Sequence, residues 1–205
     1  MDNLRVISKY GYRSIGLFGV IFLLSLLFDT FIFLSVILLI FVVFIYRNPE
    51  RLPAVESMDA ILSPIDGVIE DIRKSSYNGV LYTEVVIKNS IFDSGVLRAV
   101  ANLKVDEIKF KNGLNLSTTS LDKNLLNNRV AYICSVGNKQ VIIRINSGAI
   151  SRKIHLEDIK ELKVSRRFGF ILDGRVSLFL PLTTKLNVSV GNSVKAADLI
   201  GFLEE

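Results

Sequence analysis

The chain contains no tryptophan, one cysteine (Cys134), one histidine (His155) and four prolines in 205 residues. One thiol closes no internal disulfide, and one thiol with one imidazole builds no Cys/His zinc cluster. Repeats and low-complexity tracts are lacking too, and a hydrophobic content of 50% is too high for a disordered tail. Charge is scarce in one place: between Ser14 and Tyr46, Asp29 is the sole charged residue. Elsewhere apolar, polar and charged residues mix as in ordinary globular domains, so the mean hydropathy of +0.42 reflects that one region. Such a composition describes a membrane anchor joined to a water-soluble domain.

The apolar region reads IGLFGVIFLLSLLF over 15–28 and FIFLSVILLIFVVFIY over 31–46, with Asp29-Thr30 between them. As one straight helix it would run roughly 45 Å, beyond a hydrocarbon core of about 30 Å, with Asp29 near the middle. An unpaired carboxylate there is expensive. As two short helices, the same residues form a hairpin with Asp29-Thr30 at its tip. Arg5, Lys9 and Arg13 precede the region and Arg47 and Arg51 follow it, so the positive-inside tendency puts both ends on one side, as a hairpin allows. The expected order is a basic tail (1–13), a membrane hairpin (14–46) and a soluble domain (47–205). The run is too long for the apolar core of a signal peptide. A net charge of +5 suits an anionic lipid surface. The basic residues are too dispersed for a nucleic-acid module, so phospholipid is the expected partner and nucleic acid is not.

Pro49 and Pro53 end any helix at the membrane exit. Beyond them, runs rich in β-branched and aromatic residues at 80–87, 104–110, 130–134, 140–145 and 175–180 alternate with Asn78-Gly79, Asn112-Gly113 and Gly137-Asn138. These are strand and tight-turn signals, and they predict a β-rich domain. The V-x-x-G-x-x-V pattern over 188–194 also occurs in biotinyl and lipoyl carriers, but no lysine sits at the hairpin tip that such carriers modify.

Six stretches carry a family resemblance. They are Tyr46-Arg47-Asn48-Pro49-Glu50-Arg51, Leu62-Ser63-Pro64-Ile65-Asp66-Gly67, Phe110-Lys111-Asn112-Gly113, Asp122-Lys123 with Asn127-Asn128-Arg129, Ser147-Gly148-Ala149-Ile150-Ser151-Arg152-Lys153-Ile154, and Arg167-Phe168-Gly169-Phe170-Ile171 leading to Arg175-Val176-Ser177-Leu178-Phe179-Leu180-Pro181. In this order, over about 46–201, they resemble the small bacterial phosphatidylserine decarboxylases. The resemblance implies a β-rich domain of barrel/sandwich-hybrid character behind the hairpin. It also implies a place in phosphatidylethanolamine synthesis, at the inner membrane with the domain in the cytoplasm. In that family a serine hydroxyl, activated by a His and an Asp, attacks the carbonyl of the preceding Gly. The chain then breaks and leaves a pyruvoyl group, which takes up electrons as the lipid's serine loses carbon dioxide.

This chain departs from that pattern at the chemistry. Asp66 holds the family's Asp position, as a catalytic remnant or as an ordinary turn residue after Pro64. Gly95 stands where the family has its His. Asp173-Gly174 replaces the scissile Gly-Ser in a stretch one residue shorter than the pattern. His155 does not match the motif, Ser177 falls three residues downstream and on the opposite strand face, and Leu116-Ser117-Thr118-Thr119 lies in the wrong part of the chain. No pyruvoyl is formable at Gly174, so no cofactor and no metal is expected. Arg152, Lys153, Arg166 and Arg167 lie in family-like stretches and either meet headgroup phosphates or form solvated faces. Three functions stay open: a family member without decarboxylase activity, an active decarboxylase using a non-standard residue, and a structural membrane scaffold. Association with itself or with an active relative is open as well.

Overall fold

The structure is a computed structural model that describes residues 6–113, 127–151, 153–157 and 159–204. The chain divides into two compact units, Met1–Glu50 and Arg51–Glu205.

In the first unit a 3-10 turn (Lys9–Gly11) leads into α1 (Tyr12–Leu27), and α2 follows (Ile32–Ile45). The helices part where Asp29 and Phe31 adopt left-handed φ values of 53°. Ser25 of α1 and Ser35 of α2 bring their hydroxyls within 2.7 Å. At the other end Ser8 N donates to Tyr46 O and Asn48 N to Val6 O, an antiparallel bridge between Ile7 and Arg47. Gly11 makes this closure possible, because a Cβ there would sit 2.4 Å from Tyr46 Cγ. The outward faces are apolar and exposed, as at Leu23, Phe33 and Ile40. Lys9–Leu27 is long and apolar enough to cross a membrane, whereas α2 is shorter.

In the second unit the described strands are β1 (Ala60–Leu62), β2 (Gly67–Tyr77), β3 (Val80–Asn89), β4 (Val96–Arg98), β5 (Leu103–Lys111), β6 (Arg129–Val136), β7 (Lys139–Ser147), β8 (His155–Leu156), β9 (Glu161–Leu162), β10 (Arg167–Phe170), β11 (Gly174–Leu180), β12 (Lys185–Leu186), β13 (Ser193–Val194) and β14 (Leu199–Phe202). They form an eight-stranded sheet in the order β13-β2-β3-β11-β7-β6-β5-β9 and two three-stranded sheets, β1-β14-β12 and β4-β10-β8. The large sheet ends in the two-residue strands β13 and β9, so the architecture is a set of open sheets and not a closed barrel.

Local chemistry explains the long hairpins. Asn78 (φ 50°) and Gly79 (φ 83°) form a two-residue left-handed turn that sets Tyr77 opposite Val80. Gly137 (φ 56°) does the same work between Val136 and Lys139. All five expected runs lie inside strands, β3, β5, β6, β7 and β11. The long strand β2 carried no such signal, because Glu70, Asp71, Arg73 and Lys74 break its apolar pattern and its register slips between Ile69 and Asp71.

Every residue of β11 is buried, between β3 and β7 at the centre of the sheet. Alternation sends Val176, Leu178 and Leu180 into the main core with Ile87, Tyr132, Ile143 and Phe168. Phe179 points to the far face with Tyr82, Ala131 and Ile142. Each such aliphatic or aromatic side chain contributes about 1.5–3 kcal/mol through burial. This packing holds the start of β11 in place.

Candidate functional site

Segments distant in sequence converge at the start of β11. Gly174 pairs with Asn89 of β3 and Ser147 of β7. The buried Asn89 Nδ2 donates to Asp66 O at 2.9 Å and to Ser94 O at 3.2 Å. Ile171 N donates to Gly95 O at 2.9 Å. Asp66, Gly95 and Asp173-Gly174 are therefore gathered around Asn89. Sequence reading passed over Asn89, since a lone asparagine at a strand end carries no signal of its own.

Asp66 is buried and fully engaged: Oδ2 accepts from Arg51 Nη2 at 2.9 Å and Oδ1 from Ala196 N at 2.8 Å. These bonds offset part of the cost of burying the carboxylate. Asp66 thereby ties Arg51 to the turn before β14.

Gly95 has no room for a side chain. A Cβ there would lie 1.8 Å from Ile171 O and 3.2 Å from Phe170 Cε2, so backbone fills the space an imidazole would need. Gly174 is similar: at φ +154° its Cβ would lie 2.3 Å from Asn146 O. The residues present thus do not fit a pyruvoyl group. Position 174 has neither a hydroxyl nor space for the atom that would bear one.

Asp173 takes a different role. Its Oδ1 accepts from Ile150 N at 3.1 Å and Ser151 N at 2.6 Å, and Ala149 N–H also bonds to the carboxylate. Gly148 N donates to Asp173 O at 3.0 Å, and Leu172 N donates to Ser151 Oγ at 3.2 Å. A Cβ at Gly148 would stand 1.9 Å from Asp173 Oδ2, so any other residue there would displace the carboxylate. Burial pushes the Asp173 carboxyl up, and the backbone hydrogen bonds pull it partly back. Successive N–H groups of this kind form an anion nest, and the anion here belongs to the chain itself.

The remaining candidates lie elsewhere. His155 on β8 faces Phe170 of β10, whose other partner is Val96 of β4, so two strand spacings, roughly 10 Å, separate it from the Gly95 side. Burial and the nearby Lys153 hold its imidazole below the ordinary value. Lys153 lies beyond the His155 end of the β8–β10 pair, and Arg166 and Arg167 lie at the opposite end. Arg152, Asp122-Lys123 and Leu116-Ser117-Thr118-Thr119 fall outside the described residues. Ser177 is buried on the far face, where its Oγ accepts from Arg144 Nη2 at 3.4 Å. Among the described residues no group of His, Cys, Asp and Glu is arranged to hold a metal ion.

Comparison with known proteins agrees with the shared stretches. The sequence model of phosphatidylserine decarboxylase matches residues 38–202. The phosphatidylserine decarboxylase proenzymes of Rickettsia typhi and Rickettsia prowazekii are each 32% identical over 212 residues, covering 97% of this chain and 90% of theirs. The corresponding proenzyme of Rickettsia africae is 30% identical over 211 residues. No solved structure matches. This chain belongs to the phosphatidylserine decarboxylase family, which links it to phospholipid synthesis.

Proposed function

We propose that this protein is a membrane-anchored member of the family that stays uncleaved, carries no pyruvoyl group and has lost decarboxylase activity, keeping a phospholipid-binding role in phosphatidylethanolamine synthesis. One observation carries the reading: backbone atoms crowd Gly174 and Gly95, the positions at which the resemblance sets the family's serine and histidine. The atoms of the prosthetic group have no source, so no residual activity is expected. Asp66 survives as a structural tie and not as the partner of a base.

The exposed apolar helices support the anchoring part, as a hairpin with both basic flanks at the cytoplasmic face of the inner membrane. Phospholipid, phosphatidylserine included, is the proposed partner, alongside self-association or association with an active relative. Intact-mass spectrometry of the purified protein tests the core of this reading. One chain near 22.9 kDa that does not react with a carbonyl-trapping reagent is expected. Two fragments, one with a blocked N-terminus, overturn it.

A further inference from the structure

The far face of the large sheet carries a second cluster that the Gly95–Gly174 region does not use. A cavity of about 510 Å3, within the range of small-molecule sites, opens between Tyr77, Lys109, Phe110, Lys111, Arg129 and Arg144. Register explains the grouping: Lys109 pairs with Ala131 and Lys111 with Arg129 across β5–β6, while Ala131 pairs with Arg144 across β6–β7. These side chains therefore share the face of Ile142 and Phe179.

The charges do not balance. Glu84 is fully buried and serves two guanidinium groups, Arg144 Nη2 at 2.5 Å and Arg73 Nε at 3.0 Å. Lys109 pairs with Glu107 at 3.2 Å. Lys111 and Arg129 have no ion pair among the described residues, and no carboxylate is among the residues lining the cavity. Burial depresses the Arg144 pKa against the pull of Glu84, and the like charges of Arg129 and Arg73 add to that depression. The Arg144 guanidinium lies over the Phe179 ring, 4.6 Å from its centroid, a cation–π contact.

We propose that this cavity binds a phosphomonoester dianion. Two unneutralised cations match a charge of about −2, which a phosphomonoester carries near neutral pH and a diester phosphate does not. Guanidinium and ammonium groups are the usual donors to phosphate oxygens. The half-buried Tyr77 supplies a wall for the organic group attached to the phosphate. The ligand is either a soluble phosphorylated compound or a lipid whose headgroup ends in phosphate. This goes beyond the proposed function and does not depend on whether the chain is cleaved.

The test uses the full chain in nonionic detergent, titrated calorimetrically with inorganic phosphate, with glycerol 3-phosphate, and with mixed micelles of phosphatidic acid or, as the diester control, phosphatidylglycerol. Saturable phosphate binding is expected, weakened at least tenfold by the double substitution Lys111→Gln/Arg129→Gln and unchanged by Lys185→Gln/Lys195→Gln at two exposed positions outside the cavity. Lys111 is exposed and Arg129 half-buried, and if the double variant fails to fold, Lys111→Gln alone is expected to weaken binding about threefold. Preference for phosphatidic acid micelles over glycerol 3-phosphate assigns the lipid source, and the reverse assigns the soluble one. Absence of saturable binding, equal affinity in the cavity variants, or phosphatidylglycerol binding as tightly as phosphatidic acid overturns the proposal. An intact-mass result showing cleavage would instead remove the proposed function and leave this site standing.

Discussion

The two faces of one sheet treat negative charge in opposite ways. At the start of β11, the Asp173 carboxylate is held by backbone N–H groups and the neighbouring glycines admit backbone where side chains would stand. On the far face, cations outnumber the carboxylates that serve them and a cavity remains beside them. The difference teaches where a ligand is needed. A region whose polar groups are satisfied internally gains little from one, whereas a region with unneutralised charge and space gains much.

The sharpest way to break the comparison is Gly95→His, which places an imidazole where the chain has closed. The Cβ at 1.8 Å from Ile171 O forces the 170–174 segment to move, so a loss of about 4 kcal/mol is expected in denaturant unfolding. Full stability in that variant would show that the site is open after all. Next comes Glu84→Gln, which removes the carboxylate shared by Arg73 and Arg144. About 3 kcal/mol of stability should be lost, while phosphate affinity in the cavity should rise.

Asp173→Ala strips the nest of its acceptor and should cost about 2 kcal/mol by the same measurement. Its pH dependence sharpens the point. Burial raises the folded-state value of Asp173 above the ordinary 3.8, so its contribution to stability is fully present below 3.8 and is lost as pH rises through the folded value. The stability of the unsubstituted protein relative to Asp173→Asn should therefore fall on going upward from pH 3.8. A flat difference would mean that the backbone bonds balance burial, and a rising one that they outweigh it. The smallest effect concerns Cys134, whose thiol burial and Asp106 push up to about 12. Iodoacetamide at pH 8 should leave the folded protein unlabelled by mass, with one adduct after unfolding.

Much of the fold was legible because its signals are local. Asn78-Gly79 and Gly137-Asn138 specify turns by their backbone freedom, and the β-branched runs between them read as strands. Strand β2 stayed hidden because its charged residues find partners only across the sheet, as Arg73 does with Glu84. The site was half legible. Missing side chains at Gly95 and Gly174 can be read from a motif, but the closure of the space they vacated cannot. Nor can the capture of Asp173 by the amides of 149–151, which lie more than twenty residues earlier in the chain. Lys109 and Lys111 gave a faint hint, two cations spaced to share one strand face.

By itself the sequence determined what is absent: a side chain at 95 and at 174 and the second thiol that a disulfide needs, because chemistry requires particular atoms and the chain either has them or does not. It also determined the apolar region and the turns, which depend on neighbouring residues alone. Only the tertiary structure decided what replaced the missing groups and where Arg129, Arg144 and Lys111 meet. Those outcomes depend on strand register, and register is set by packing across the whole sheet.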